Sequence, residues 1–472
     1  MCQTECMVIQ ENTQQLTQFR LEVYQNFNKR ADTLMDLIDA LSGNTQARSV
    51  VQLSLSTSFR RDYTSLSKAI SEYQTKKATK TLAQLAGPYL TPPIQRPFWL
   101  IGVDVTPQPR PYATRLDDRG YVYQPNPIRS NKPITIGHQY SSVFSLPERT
   151  CQQSKTWVVP LSTQRVKSSD DKELIGAEQI RILLEDENLP FHGQLWAEVA
   201  DSSYSKPAYL HANRSKANLV TVVRARSNRT FFRQPEANRP SGQCGHPTWF
   251  GAGFSLRDST TQPAPDEQAT TTFTSKRGQV YTVKIDAWYD LLMRGERNPN
   301  LIPMQNYPFT LVRIFLYNPA GELVFKNPIW LIIVGEKRRL LSLVNIFEAY
   351  HQRYDLEHFF RFGKQKLLLN HFQTPETLHE ENWWQLAHLA YLQLWVARSY
   401  ASSSPRPWER SLPIMKDPIP SPTSVQRDFE RIIRPFGSPA NFPKHRGKSP
   451  GRAKGSLYTR REPIPVVFKG KS

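Results

Sequence analysis

A polar stripe along one predicted helix constrains this chain more than any other feature of its sequence. In the run EAYHQRYDLEHFFRFGKQKLLL, four polar residues stand at offsets of zero, three, seven and fourteen: Tyr350, Arg353, Glu357 and Lys364. At about 100° per residue they fall within roughly 60° of the helix circumference. A carboxylate flanked by phosphate-binding donors suggests a metal ligand beside nucleic acid. The alternative is a solvated face with salt bridges inside the helix.

The charge of the chain indicates the kind of partner it binds. Its 472 residues include 61 Lys and Arg against 41 Asp and Glu, so the net charge is +20. Such a chain is expected to bind a polyanion, with nucleic acid favoured over an anionic membrane. No strongly apolar run approaches the roughly 20 residues that span a bilayer, so no membrane association is expected. Four scattered cysteines suit a reducing, intracellular environment.

The first part of the chain, residues 1–94, is predicted to be a helical DNA-binding domain. Apolar residues spaced by threes and fours predict helices over 12–42 and 49–73. Arg60 and Arg61 belong to a basic stretch of this head, which we expect to lie along a phosphate backbone. A solvated helical surface is the alternative. The proline-rich run GPYLTPPIQRP marks the end of the domain.

The middle of the chain is predicted to be mixed α/β. Residues 95–225 alternate strands with a helix over 172–185, and residues 226–336 return to strands alone. Two long helices, 341–367 and 378–400, then occupy the segment 337–400.

The last segment, 401–472, is predicted to be a disordered, proline-rich basic tail. It carries 15 Lys and Arg against 5 Asp and Glu and has little apolar surface to bury. Its stretch KHRGKSPGRAKGSLYTRR is typical of a flexible arm that adds sequence-independent affinity for DNA. A solubilising tail without contact to DNA is the alternative.

Two aspartates stand at the ends of predicted apolar strands. Asp104 closes FWLIGVD and Asp201 closes LWAEVA. A carboxylate at such a position is costly unless it is paired or bound to a cation. If the strands are neighbours, the aspartates converge and the polar helix adds Glu357. Three carboxylates suit two Mg²⁺ ions and phosphodiester chemistry. For either aspartate alone, a turn or a helix cap is the alternative.

These residues resemble a known family, the bacterial insertion-sequence DDE transposases with the signature Y-x2-R-x3-E-x6-K. This group is named for insertion sequence four and has close relatives. Tyr350, Arg353, Glu357 and Lys364 match its spacing, and the order Asp104, Asp201, Glu357 resembles its catalytic triad. The resemblance covers about residues 95–400. It implies an RNase H-like core interrupted by a β-rich insertion.

The resemblance also implies roles for single residues. The metal ligands would be Asp104, Asp201 and Glu357, with Mg²⁺ as the cofactor and Mn²⁺ as a substitute. The residues that hold phosphates near the transposon end would be Tyr350, Arg353 and Lys364. Trp330, in the insertion, resembles a tryptophan that stacks on a flipped base, with an ordinary core tryptophan as the alternative. The chain departs from many members at Ser202, where they carry arginine.

The expected function is therefore cut-and-paste transposition. The protein would act in the bacterial cytoplasm, at the nucleoid, as a homodimer. It would bind double-stranded terminal inverted repeats, cleave the element ends and join them to target DNA. Two other readings stay open: a domesticated DNA-binding protein without catalysis, and a structure-selective nuclease of RNase H-like fold.

Overall fold

Helices come first along the chain, strands follow, and helices return. The computed structural model describes residues 3–124, 133–149, 155–235, 249–275, 277–295, 302–403, 419–444, 451, 453–457 and 461–468. Within them the helices are α1 Gln3–Asn26, α2 Ala31–Ser42, α3 Tyr63–Glu72, α4 Leu82–Ala86, α5 Lys172–Glu185, α6 Pro207–Arg214, α7 Leu343–Gln352, α8 Asp355–Lys366, α9 Thr377–Ser403 and α10 Pro422–Ile433. None of these helices is both long and apolar enough to cross a bilayer.

Twelve strands are present in the same described residues. They are β1 Trp99–Pro109, β2 Gly120–Tyr123, β3 Ile134–Ser145, β4 Val159–Val166, β5 Trp196–Ala200, β6 Leu219–Arg224, β7 Thr230–Phe232, β8 Gly253–Ser255, β9 Glu267–Thr274, β10 Val280–Leu291, β11 Phe309–Tyr317 and β12 Ile329–Val334.

The N-terminal head is helical, but its helices are shorter than predicted. The helix expected over 12–42 is two helices, because the chain breaks after Asn26 and Arg30 adopts a left-handed conformation with φ of 54°. The side-chain amide of Asn26 stabilises the break. Its nitrogen donates to the Lys80 carbonyl, and its oxygen accepts from the Lys80 amide. In the second stretch, expected as one helix over 49–73, α3 covers ten of the 25 residues, and Val51–Leu55 forms a separate 3-10 helix.

Ten strands form one mixed sheet with the order β2-β3-β1-β5-β6-β12-β11-β10-β9, and β4 pairs with β3. The centre is parallel, because β1 pairs with β5 and β5 with β6 in the same direction. β12 adds to β6 in the antiparallel direction. The strands expected as a separate insertion therefore extend the core sheet, and only β7 and β8 form a small sheet of their own.

Helices cover both faces of the sheet around β1. On one face α5 lies close, since a Cβ at Gly176 would be 3.0 Å from Val103 Cγ2. On the other face α8 lies close, since a Cβ at Gly102 would be 2.9 Å from Leu356 Cδ1. Gly102 therefore permits the close approach of α8 to the strand that carries Asp104.

The helix expected over 341–367 is two helices, α7 and α8, separated at Arg353 and Tyr354. Tertiary contacts accompany the break. Gln352 accepts a hydrogen bond from Arg96 Nη1 at 3.0 Å and donates one to the Pro147 carbonyl at 2.7 Å. The polar stripe is consequently spread over two helices and the turn between them.

Part of the predicted disordered tail is folded, which corrects that expectation. In α10 an apolar stripe of Val425, Phe429 and Ile432 is fully buried. Farther on, the amide of Val467 donates to the Arg119 carbonyl at 2.8 Å, beside β2. The basic stretch over 444–461 lies partly outside the described residues, at 445–450, 452 and 458–460.

Candidate active site

Two aspartates stand side by side in the centre of the sheet. Gly102 of β1 pairs with Val199 of β5 in the parallel register, so Asp104 and Asp201 occupy the same level two residues farther on. β5 ends at Ala200, whereas β1 continues to Pro109. The sequence had suggested that Asp104 stands at the end of its strand. In the structure it lies within β1, beside the point where the neighbouring strand β5 ends.

One oxygen of each aspartate accepts local hydrogen bonds, one for Asp104 and two for Asp201. Asp104 Oδ1 accepts from the amide of Val105 at 2.8 Å. Asp201 Oδ1 accepts from the Ser203 amide at 2.8 Å and from the Ser203 hydroxyl at 2.7 Å. The second oxygen of each carboxylate accepts no hydrogen bond from a described residue, so both remain available to another ligand.

The electrostatics of the pair disfavour two bare negative charges. Burial first and the Asp201 charge second raise the pKa of Asp104 to about 6, against the opposite effect of Arg353. Glu357 also contributes to raising this pKa, by less than Asp201 does. A cation placed between these carboxylates would relieve the repulsion.

Glu357 lies on the first turn of α8, with its side chain 55% exposed and Oε1 3.7 Å from Arg353 Nη2. It is close enough to act electrostatically on Asp104, so its distance from the pair is the point that decides whether the three carboxylates form one site. Among the described residues, no three His, Cys, Asp or Glu side chains are grouped so that they could hold a metal ion. The structure thus brings the two aspartates together and leaves Glu357 apart from them.

Arg353 and Tyr350 are buried, with 8% and 2% exposure, and Arg353 is close enough to both aspartates to act on them electrostatically. Burial opposes the charge of Arg353, but Tyr350, Asp104 and Asp201 together hold its pKa above the ordinary value. Burial likewise raises the pKa of Tyr350, whose hydroxyl has no hydrogen-bond partner among the described residues. In this structure Arg353 is the counter-charge of the aspartates.

Lys364 is half-buried and joins α8 to β1. Its ammonium donates a hydrogen bond to Thr106 Oγ1 at 2.6 Å. Burial lowers the pKa of Lys364, while the charge of Asp104 opposes that change. Thr106 was not singled out from the sequence, although it follows Asp104 by two residues and so faces the same side of the strand.

The structure does not present Trp330 to DNA, which corrects the expected stacking role. Trp330 is 3% exposed in β12. Its ring packs against Trp288 and Phe254, at centroid distances of 5.7 and 6.1 Å. The guanidinium of Arg313 lies 5.5 Å from its centroid. In this structure it is a core tryptophan, the alternative considered from the sequence, because no ring face is open to a base.

Arg60 and Arg61 also differ from expectation. Both bind the buried carboxylate of Asp36, at 2.6 and 3.1 Å. Their guanidinium groups also donate to the carbonyls of Ala440 and Asn441, at 3.1 and 2.6 Å. These arginines hold the C-terminal segment on the head, so the described structure does not offer them as a free phosphate-binding face.

Two residues near the aspartates were missed by sequence reasoning. Ser203 orients Asp201 through the bonds given above, and the pattern Asp-Ser-Ser at a strand end was a signal for such a turn. Tyr204 is buried with its hydroxyl unpartnered among the described residues. Burial, Asp104 and Asp201 raise its pKa well above the ordinary value. No sequence signal distinguished it from a core tyrosine.

The aspartate pair fits a hard divalent cation by its donor chemistry. Both free donors are carboxylate oxygens, which Mg²⁺ and Mn²⁺ prefer, and Mg²⁺ needs few protein ligands because it keeps several waters. Without a cation, burial first and the Asp201 charge second disfavour the ionised form of Asp104 and raise its pKa.

Comparison with known proteins identifies the family. The profile of the DDE superfamily endonucleases matches residues 22–293, more than half of the chain. This range includes Asp104 and Asp201 and ends before Glu357. The match is to the superfamily, so membership in the group with the Tyr-Arg-Glu-Lys signature stays a prediction. No curated protein matches the chain. The chain belongs to the DDE superfamily endonuclease family.

Proposed function

We propose that this endonuclease is a cut-and-paste DNA transposase of the Tyr-Arg-Glu-Lys group. It cleaves at the ends of a transposon and joins those ends to target DNA, and it acts as a homodimer because two ends must be paired. The observation that carries the proposal is the aspartate pair, in which Asp104 and Asp201 lie at one level on adjacent parallel strands. The family of DDE endonucleases and the net charge of +20 support a DNA substrate.

The carboxylates would hold the metal. Asp104 and Asp201 would each supply a free oxygen, and Glu357, which stands apart from the pair in this structure, would supply the third carboxylate from α8. When bound, Mg²⁺ or Mn²⁺ activates the attacking oxygen and stabilises the departing one. Ser203 holds Asp201 in a single orientation, which lowers the cost of ordering the site.

The cationic side chains would compensate the negative charge of the scissile phosphate. Arg353 already compensates the aspartates, and a phosphate arriving beside them would share that guanidinium. Lys364, which donates a hydrogen bond to Thr106, would attract the phosphate as a point charge on the same face of β1. Tyr350 is too buried to contact a phosphate in this structure, so we assign it to the support of Arg353.

A strand-transfer assay tests the proposal against its two rivals. The substrate is a labelled duplex carrying the candidate element end, taken from the DNA that borders the reading frame, with a supercoiled plasmid as target and Mg²⁺ present. A transposase yields nicked ends and plasmid joined to the label. A nuclease yields nicked ends without joined plasmid, and a non-catalytic binding protein retains the duplex without cutting it.

Asp201→Asn is the informative variant in this assay. It should bind the duplex like the unaltered protein and give neither cut nor joined product, because an amide is a poorer ligand for Mg²⁺ than a carboxylate. Glu187→Gln changes one exposed carboxylate elsewhere on the surface and serves as the matched control. Joined product from Asp201→Asn at the rate of this control would rule out the proposed function.

A further inference from the structure

An arginine stands in the same row of the sheet as Asp104 and Asp201, which together form the carboxylate site. β5 pairs with β6 in the parallel direction, with Val199 opposite Val222. Two residues farther on, Arg224 of β6 therefore lies level with Asp201, which lies level with Asp104. The backbone of Asp201 is still extended, so this level holds just beyond the end of β5. Three neighbouring β-strands thus carry Asp, Asp and Arg in one row.

The arginine faces the same side of the sheet as the aspartates. Residues at one level of a parallel sheet present their side chains to the same face. Gly102 shares this face and is covered by α8. Burial raises the pKa of Tyr350 on α7, and the charges of Arg353 and Arg224 oppose this rise. The guanidinium of Arg224 is therefore close to the helices that cover the carboxylate site.

Arg224 differs from two other cations near the aspartates because its donors are free. Arg353 is 8% exposed and compensates the aspartates, and Lys364 donates to Thr106. Arg224 is exposed, and its guanidinium forms no hydrogen bond or ion pair with a described residue. A guanidinium presents five N–H donors in a planar fork that fits a phosphate. Arg224 can therefore bind an incoming anion without giving up a contact within the described structure.

The spacing of the row indicates which phosphate Arg224 would meet. Neighbouring β-strands are about 5 Å apart, so the row from Asp104 to Arg224 spans about 10 Å. A scissile phosphate held by metal at the two aspartates lies toward one end of this row. Arg224 stands at the other end, beside that phosphate, where the DNA strand continues.

We propose that Arg224 binds the phosphate next to the scissile one in the DNA strand that is cut. The inference rests on the proposed use of Asp104 and Asp201 for cleavage. Two N–H groups of the guanidinium donate to two oxygens of that phosphate, and this contact fixes the register of the DNA over the carboxylate site. Arg224 neither binds the metal nor transfers a proton, so its loss acts first on DNA binding.

Salt-dependent binding tests the proposal on the full chain. The probe is the labelled element-end duplex of the strand-transfer assay, with Ca²⁺ in place of Mg²⁺ to occupy the carboxylates. Arg224→Ala should weaken binding about tenfold and lower the slope of log K against log salt by about 0.9. Arg224→Lys should keep the slope, because it still neutralises one phosphate. The matched control is Arg277→Ala, which removes an exposed arginine beside β9, four places from β6 in the sheet, and should change neither value.

A scan with neutral phosphates identifies the contacted position. Each duplex carries a single methylphosphonate in place of one phosphate. With the unaltered protein, this change should weaken binding about tenfold at the phosphate that Arg224 binds. With Arg224→Ala the loss at that position should nearly vanish, because the partner is already missing. The position should be next to the phosphate that is nicked when Mg²⁺ is supplied.

Three binding results would overturn the inference: equal affinity of Arg224→Ala and Arg277→Ala, additive losses at every methylphosphonate, or coupling at a phosphate remote from the nick. Arg224→Ala should also unfold in urea at the midpoint of the unaltered protein, because its side chain bonds no described residue. A lower midpoint would assign Arg224 a structural role instead.

These outcomes are separate from those that test cleavage. Coupling of Arg224 to one phosphate in a protein that nicks no DNA would support the contact and contradict the proposed function. Normal nicking with additive losses at every position would contradict this inference alone.

Discussion

Lys364 donates a hydrogen bond of 2.6 Å to Thr106, and this contact joins the helix that carries Glu357 to the strand that carries Asp104. Leu356, next to Glu357 in the first turn of α8, packs on Gly102, and Lys364 lies in the last turn, so α8 is attached to β1 near both of its ends. The position of Glu357 relative to the aspartates therefore depends on residues that are themselves not carboxylates.

Thr106→Val tests this attachment. It keeps the shape of the side chain and removes the acceptor, so the half-buried ammonium of Lys364 loses its partner. We expect a loss of about 1–3 kcal/mol in the free energy of unfolding, measured in urea, together with slower Mg²⁺-dependent cleavage. Thr106→Ser keeps the hydroxyl and should match the unaltered protein in both measurements. A valine variant as active as the serine variant would show that the contact does not position α8.

Asp104→Asn should stabilise the metal-free protein above pH 6. The folded-state pKa of Asp104 is raised to about 6 from 3.8, so the folded state binds its proton more tightly than the unfolded chain. The contribution of this group to stability therefore falls as pH rises from about 4 to 6, and the asparagine variant escapes that loss. Thermal unfolding in EDTA at pH 7.5 should show a gain of about 1–3 kcal/mol.

The same carboxylate should make metal binding depend on pH. The cation competes with the proton, so the rise in Tm caused by Mg²⁺ should shrink as pH falls through about 6. Asp104→Asn should show little rise in Tm with Mg²⁺ at any pH. An equal rise in the variant and the unaltered protein at pH 7.5 would place the metal elsewhere.

Glu198 makes a second pH-dependent contribution to stability, away from the carboxylate site. It is buried, Tyr209 donates to its Oε1 at 2.8 Å, and its Oε2 has no partner among the described residues. Burial raises its pKa to about 7 from 4.5, so its contribution to stability falls as pH rises from about 4.5 to 7. Glu198→Gln should unfold at higher urea concentration than the unaltered protein at pH 8 and at the same concentration at pH 4. Equal midpoints at pH 8 would contradict this account.

The folded part of the C-terminal segment should be needed for stability. Phe429→Ala removes a fully buried ring from α10 and should cost about 3–5 kcal/mol in the free energy of unfolding. Arg427→Ala, on the exposed side of the same helix, should change it by less than about 0.5 kcal/mol. Deletion of the chain after Ser404 should likewise destabilise the head. Unfolding of Phe429→Ala at the midpoint of the Arg427→Ala control would mean that α10 is not packed in solution.

The sequence pattern was sufficient to predict those elements whose structure is decided by residues close together in the chain. The helix predicted over 172–185 is α5, which Asp171 caps by accepting from the Glu173 and Leu174 amides. The two strands that carry the aspartates were likewise recognisable, because short apolar runs before a polar residue are typical of buried parallel strands. Their neighbouring position follows from parallel pairing of β1 with β5.

Long-range contacts decided the rest. Arg60 and Arg61 looked free for DNA because their counter-ion, Asp36, lies 24 and 25 residues earlier in the chain. Trp330 lies in a strand in which residues alternate between the two faces of the sheet. The sequence could not show that Trp288 and Phe254 cover its ring. The stripe of α10 was hidden because polar and proline residues dominate the average composition around it.

We propose that Asp104, Asp201 and Glu357 together catalyse metal-dependent DNA cleavage. The most direct measurement is the single-turnover rate of Mg²⁺-dependent nicking at the element end. It should be measured for Asp104→Asn, Asp201→Asn and Glu357→Gln, with Glu187→Gln as the exposed control. We expect each of the three variants to lose at least about a thousandfold in rate, roughly 4 kcal/mol of transition-state stabilisation, while the control nicks normally. Nicking at the control rate by any one of the three would contradict the account.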